Sequence, residues 1–112
     1  APITIVGNAG TGPNQNIAFA VQGTNSLVTS VDGAIQITGT APASDTTFFN
    51  IGVLVNDAGQ ITSTGIAPIT INGTGGGGTD NNWGVAVYNN GVANARISSA
   101  ATPVICAATS GT

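Results

Sequence analysis

Ala34-Ile35-Gln36-Ile37-Thr38-Gly39 is the stretch that decides the fold, because the chain says it three times. It stands earlier as Ala1-Pro2-Ile3-Thr4-Ile5-Val6-Gly7 and later as Ala67-Pro68-Ile69-Thr70-Ile71-Asn72-Gly73. A second motif follows each copy. It reads Asn16-Ile17-Ala18-Phe19-Ala20-Val21, then Asn50-Ile51-Gly52-Val53-Leu54-Val55, then Asn82-Trp83-Gly84-Val85-Ala86-Val87. A third closes the unit as Val28-Thr29-Ser30, Ile61-Thr62-Ser63 and Ile97-Ser98-Ser99. The period is about 33 residues, and three apolar runs in one fixed order per period are the signature of a stacked solenoid.

Within the first motif, strand A, Ile3 and Ile5 alternate with Thr4 and so share one face. Stacking places Ile5, Ile37 and Ile71 in one inward column. Gly7, Gly39 and Gly73 are expected to close the strand at a corner, where glycine tolerates positive φ. In strand B the inward candidates are Ile17, Phe19 and Val21, then Ile51, Val53 and Val55, then Trp83, Val85 and Val87. Its other face carries Ala18 and Ala20, Gly52 and Leu54, Gly84 and Ala86. A half-exposed strand shows polar residues there. This small apolar face therefore implies a covering loop or a contact surface for another chain, and on that reading Leu54→Asp spares the fold. In strand C, Val28 and Ser30 point one way, Thr29 and Val31 the other.

Asn16, Asn50 and Asn82 recur at one place in the unit. They are expected to cap the corner before strand B and to bond along the stack as an amide ladder. The segments joining A to B vary between repeats, as surface insertions do. The expected organisation is three coils, about 1–33, 34–66 and 67–102, with 103–112 as a partial fourth coil or tail. Pro103-Val104-Ile105-Cys106 matches Pro68-Ile69-Thr70-Ile71, so Cys106 is expected to be a small buried hydrophobe. Val104 and Cys106 then lie near any junction between copies.

Composition narrows function. The 112 residues hold four acids and one base, Asp32, Asp45, Asp57, Asp80 and Arg96, and no His. A nucleic-acid footprint needs clustered basic residues and is excluded. No apolar run approaches the roughly 18 residues of a spanning helix. One cysteine excludes an internal disulfide framework. A start at Ala1 rather than Met fits a product freed of its signal peptide, or a piece of a longer chain. Acid–base and nucleophilic catalysis lack their usual side chains, so no enzyme and no cofactor are expected.

Gly75-Gly76-Gly77-Gly78-Thr79-Asp80 fits six positions of the calcium nonapeptide, but it occurs once and Asn82 stands where a large apolar residue is needed. A flexible glycine loop is the expectation. Gly7-Asn8-Ala9-Gly10-Thr11-Gly12 lacks the Gly-Lys-Ser/Thr of a phosphate loop. Thr29, Thr62 and Ser98 form a short hydroxyl column beside Val31, Thr64 and Ala100, an irregular array that reads as strand surface. Asn72-Gly73-Thr74 is a glycosylation sequon at an expected turn.

The phrases Gly33-Ala34-Ile35-Gln36-Ile37-Thr38-Gly39-Thr40, Asn50-Ile51-Gly52-Val53-Leu54-Val55-Asn56-Asp57, Gly59-Gln60-Ile61-Thr62-Ser63-Thr64-Gly65 and Asn81-Asn82-Trp83-Gly84-Val85-Ala86-Val87-Tyr88-Asn89-Asn90 resemble the repeats of very large bacterial β-strand-repeat surface proteins. These are similar to filamentous-haemagglutinin-type adhesins, and the resemblance implies a right-handed parallel β-helix at the cell surface. The expected fold is therefore an all-β, right-handed parallel β-solenoid. A β-sandwich, pilin-like subunit completed by a neighbour's strand is the alternative. The expected role is an extracellular fibre or adhesin stalk, assembling head to tail with copies of itself. The alternative role is a carbohydrate- or surface-binding module using the A–B loops with Phe48, Trp83 and Tyr88. The apolar B face, Ala18, Ala20, Gly52, Leu54, Gly84 and Ala86, is the expected interface.

Overall fold

The computed structural model of the chain describes residues 1–12, 15–42, 48–78 and 81–109. These residues form ten strands and no helix. The first period contributes β1 (Ile3–Asn8), β2 (Ile17–Gln22) and β3 (Leu27–Ser30). The second contributes β4 (Ile35–Thr40), β5 (Ile51–Asn56) and β6 (Gln60–Ser63). The third contributes β7 (Ile69–Thr74), β8 (Val85–Tyr88) and β9 (Arg96–Ser99), and β10 (Val104–Thr109) follows.

Each strand pairs with its counterpart in the next period. Sheet A has the order β1-β4-β7-β10, sheet B β2-β5-β8 and sheet C β3-β6-β9. Every one of these pairings is parallel, the arrangement of a β-solenoid-like stack and not of an antiparallel sandwich. The register is set by the hydrophobic pattern, because a slip of one residue would turn every isoleucine to the wrong face. Ile5 lies opposite Ile37, Ile37 opposite Ile71, and Ile71 opposite Cys106.

The three sheets share one core. Ile35, Ile37, Ile69 and Ile71 of sheet A, Val53 and Val55 of sheet B and Ile61 of sheet C are wholly buried. Full burial of a side chain of this size contributes about 1.5–3 kcal/mol. Burial falls toward both ends of the stack, since an edge strand has a neighbour on one side only. Ile3, Ile5, Phe19, Val85 and Val104 are half-buried against the core. Val87, expected in the inward column with Val21 and Val55, is instead 45% exposed. It sits on β8, the edge of sheet B, and no described strand covers it. Cys106 is likewise exposed rather than buried, because β10 is the edge of sheet A.

The strand-A glycines have a different role from the one expected. Gly7, Gly39 and Gly73 lie inside β1, β4 and β7, and none has positive φ. They are required by close approach. A Cβ on Gly7 would strike the carbonyl of Ala18, one on Gly39 that of Gly52, and one on Gly73 that of Gly84. Sheet B thus crosses sheet A backbone against backbone, once per period. The sequon residue Asn72 lies in β7 rather than at a turn.

Candidate functional site

The crossing reverses the reading of strand B. The Ile51 N–H donates to Asn16 on one side, while Gly52 and Val53 both donate to β8's side, to Trp83 and Gly84 at 3.0 and 2.9 Å. Two successive donors aimed at the same neighbour mean that the pleat changes phase at Gly52. Ile51 therefore packs outside with Leu54 and Ala86, while Val53 and Val55 stay inside. Gly52 and Gly84, expected on the outer face, turn their Cα toward the sheet A crossing instead. Ala18, half-buried, places its carbonyl against Gly7.

The outer face of sheet B is therefore a small second core. Leu54 is only 3% exposed and Ala86 8%. Ile17, Phe49 and Tyr88 pack over them, while Ala20 remains exposed. The covering is supplied by the end of the A–B segment at Phe49 and by Tyr88. Leu54→Asp is accordingly expected to disrupt the fold rather than spare it, because the new carboxylate would be buried.

An aromatic chain rims this face. Phe48 and Phe49 meet edge to face at 5.3 Å, Phe49 and Trp83 at 6.0 Å, and Trp83 and Tyr88 at 6.3 Å. Such pairs exceed their burial value by about 0.5–1.5 kcal/mol. Phe48 and Trp83 remain 38% and 36% exposed. Trp83 is thus a rim residue, not the inward residue expected.

Beside the rim lies a cleft of about 230 Å3 with Ile51 and Leu54 at its floor. Gln22, Asn56 and Tyr88, opposite one another in β2, β5 and β8, form one wall, and Phe49 forms another. Asn56 is 4% exposed, and its Oδ1 has no hydrogen-bond partner among the described residues. The sequence pointed to Phe48, Trp83 and Tyr88, of which Tyr88 lines the cleft, but Phe49 and Asn56 were missed. The signal was the row Gln22, Asn56, Tyr88 at the end of each strand B.

The asparagines form a continuous amide chain. Asn16 Nδ2 donates to Asn50 Oδ1 at 2.9 Å, and Asn50 Nδ2 donates to Asn82 Oδ1 at 3.1 Å. Asn50, wholly buried, also donates to the Gly77 carbonyl at 2.9 Å. The glycine run is consequently no flexible loop at Gly75–Gly77. These three are buried, and their N–H groups donate to Thr109, Asn50 and Pro42 at 2.7, 2.9 and 3.0 Å. A side chain on Gly76 would collide with Pro42 and Asn50.

Other candidates carry less chemistry. Asp45, Thr79 and Asp80 lie outside the described residues. No three of His, Cys, Asp or Glu come together among those described. Asp57 Oδ1 accepts from the Asn90 N–H at 2.7 Å and so ties two coil corners together. The hydroxyl column lines an open groove of about 860 Å3 on sheet C, where Thr62 donates to Thr29 at 3.1 Å. Arg96, over Gln60 at 3.4 Å, is the one cation there. Partial burial of the Cys106 thiol pushes it above its ordinary pKa, although the residue as a whole lies exposed on the open edge. Among the described residues no helix is long and apolar enough to cross a membrane.

No family model, curated protein or solved structure gives a match to this chain.

Proposed function

We propose that the chain is part of an extracellular structural protein, a fibre or adhesin stalk built by stacking coil upon coil. In this reading it is a right-handed parallel β-solenoid of about three 33-residue coils, with residues 103–112 opening a fourth. The right hand follows from the chirality of parallel crossovers. The reading places it among surface proteins similar to filamentous-haemagglutinin-type adhesins, with no catalytic role and no cofactor.

One observation carries the proposal. β10 pairs with β7 in parallel register along its whole length, yet among the described residues it has no neighbour on its far side, and β1 at the opposite end has only β4. Open edges invite pairing. Both offer the same apolar columns, with Ile3 and Ile5 half-buried at one end and Val104 half-buried at the other. A further in-register coil fits either edge, and for the isolated chain that coil belongs to a second copy. Such a contact is heterologous and does not close, so it propagates as a fibre.

The test is sedimentation with negative-stain microscopy across a concentration series. The proposal expects filaments that shorten or vanish when residues 103–112 are deleted. A folded chain that stays monomeric at high concentration refutes homopolymer assembly.

A further inference from the structure

We infer that the cleft on the outer face of sheet B binds one neutral pyranose residue carrying an acetamido group. The fibre reading rests on the sheet A edges β1 and β10, whereas the cleft lies on the outer face of sheet B, so the inference does not rest on fibre formation. Four observations converge. First, none of the residues lining the cleft is charged. A buried charged ligand would find no counter-ion there, and the net charge of −3 further disfavours an anion. Second, Phe49 and Tyr88 present aromatic surface, which takes the C–H face of a sugar ring in the way it takes other apolar groups.

Third, the polar groups are amides. Gln22 and Asn90 each bring a donor and an acceptor, the equipment for neighbouring hydroxyls. Fourth, Asn56 is buried with Oδ1 unpartnered and closed to solvent, so a ligand reaches that acceptor as the amide turns toward the cleft, and Leu54, two residues back on the same face, is apolar. An acceptor next to an apolar floor is matched by an N–H next to a methyl, which is an acetamido group. A bare hydroxyl satisfies the acceptor and leaves the floor unfilled. At about 230 Å3 the cleft falls below the roughly 300 Å3 where drug-sized sites begin, so it holds one ring and not several.

The probe is N-acetyl-D-glucosamine, with D-glucose as the analogue that replaces the acetamido group by hydroxyl. Titrations are read by fluorescence of Trp83, the single tryptophan, and by amide shifts of Gln22, Asn56, Tyr88 and Asn90. The monomeric fraction is used, so loss of stacking does not register as loss of binding. We expect saturable binding with a dissociation constant on the order of 1 mM, given so few ligand atoms. Glucose should bind at least fivefold more weakly. Asn56→Leu should keep the melting temperature and weaken binding at least tenfold. Tyr88→Ala provides the same loss should Asn56→Leu not fold. No saturable shift at tens of millimolar overturns the inference and leaves Asn56 to water alone. Equal affinity for glucose overturns the acetamido assignment, and full binding by a folded Asn56→Leu overturns the site.

Discussion

Asn50→Ala tests the amide ladder at its centre. The substitution removes four side-chain hydrogen bonds: those from Asn16 Nδ2 and, at a long 3.4 Å, from the Asn16 backbone N–H, and those to Asn82 Oδ1 and to the Gly77 carbonyl. Asn16 keeps its bond to the Gly12 carbonyl, and Asn82 Oδ1 keeps the Asn50 backbone N–H at 3.3 Å. The Gly77 carbonyl loses its side-chain donor inside the protein. At about 1 kcal/mol per bond, plus the desolvation of an orphaned acceptor, the expected loss is about 3–5 kcal/mol. A chain of this length has roughly 6–17 kcal/mol in all, so the variant still folds. Urea melts followed by circular dichroism should show the midpoint falling with the slope unchanged. Asn16→Ala, at the half-buried end of the ladder, should cost about 1 kcal/mol. Asn50→Asp sets a carboxylate against two carbonyl oxygens, so the neutral acid is favoured in the fold and its pKa rises. Its stability is present below about pH 4 and is lost as pH climbs toward 7, since the folded state then holds the extra proton. An Asn50→Ala variant within about 1 kcal/mol of wild type would refute the ladder as a stabilising device.

Gly39→Ala should cost at least about 2 kcal/mol in the same melts, since the new methyl meets the backbone of Gly52, whereas Gly10→Ala, in open space, should be neutral. Ala58→Gly should raise stability by about 1 kcal/mol, because Ala58 holds φ at 69°. Leu54→Asp should lose the circular dichroism signal of the fold together with Val53→Asp, both side chains being buried. Cys106 should react with a thiol reagent without denaturant, and its rate should rise with pH about a midpoint above the ordinary thiol value.

Much of this fold is legible in the sequence, and the reasons are local. Alternation in Ile35-Gln36-Ile37 states which face is buried, and repetition states what each residue stacks on. The amide column is legible for the same reason, since one residue type recurs at one corner. Strand B is where the reading fails. Period two assumes an unbroken pleat, and the phase change at Gly52 moves Ile51 outside and Gly52 inside. The cause is non-local: the carbonyl of Gly52 must clear Gly39 on another sheet. Gly7, Gly39 and Gly73 in strand A, with Gly52 and Gly84 in strand B of the second and third periods, held that information, but a corner explained the strand A set equally well. Exposure at Val87 and Cys106 is set by position in the stack, which a repeat pattern treats as equivalent. The cleft at Asn56 was hidden because its walls come from three periods, and the Phe49 wall from a variable segment.

The in-register parallel stack underlies both the proposed stalk and the proposed sugar site, and methyl NOE spectroscopy on isoleucine-labelled monomer tests it most directly. Partners in adjacent parallel strands lie about 4.8 Å apart along the stack. The account predicts that the Ile37 methyl gives strong contacts to both Ile5 and Ile71, with none between Ile5 and Ile71. Absence of either Ile37 contact, or contacts joining the start of β1 to the end of β4 as in an antiparallel pair, would contradict it.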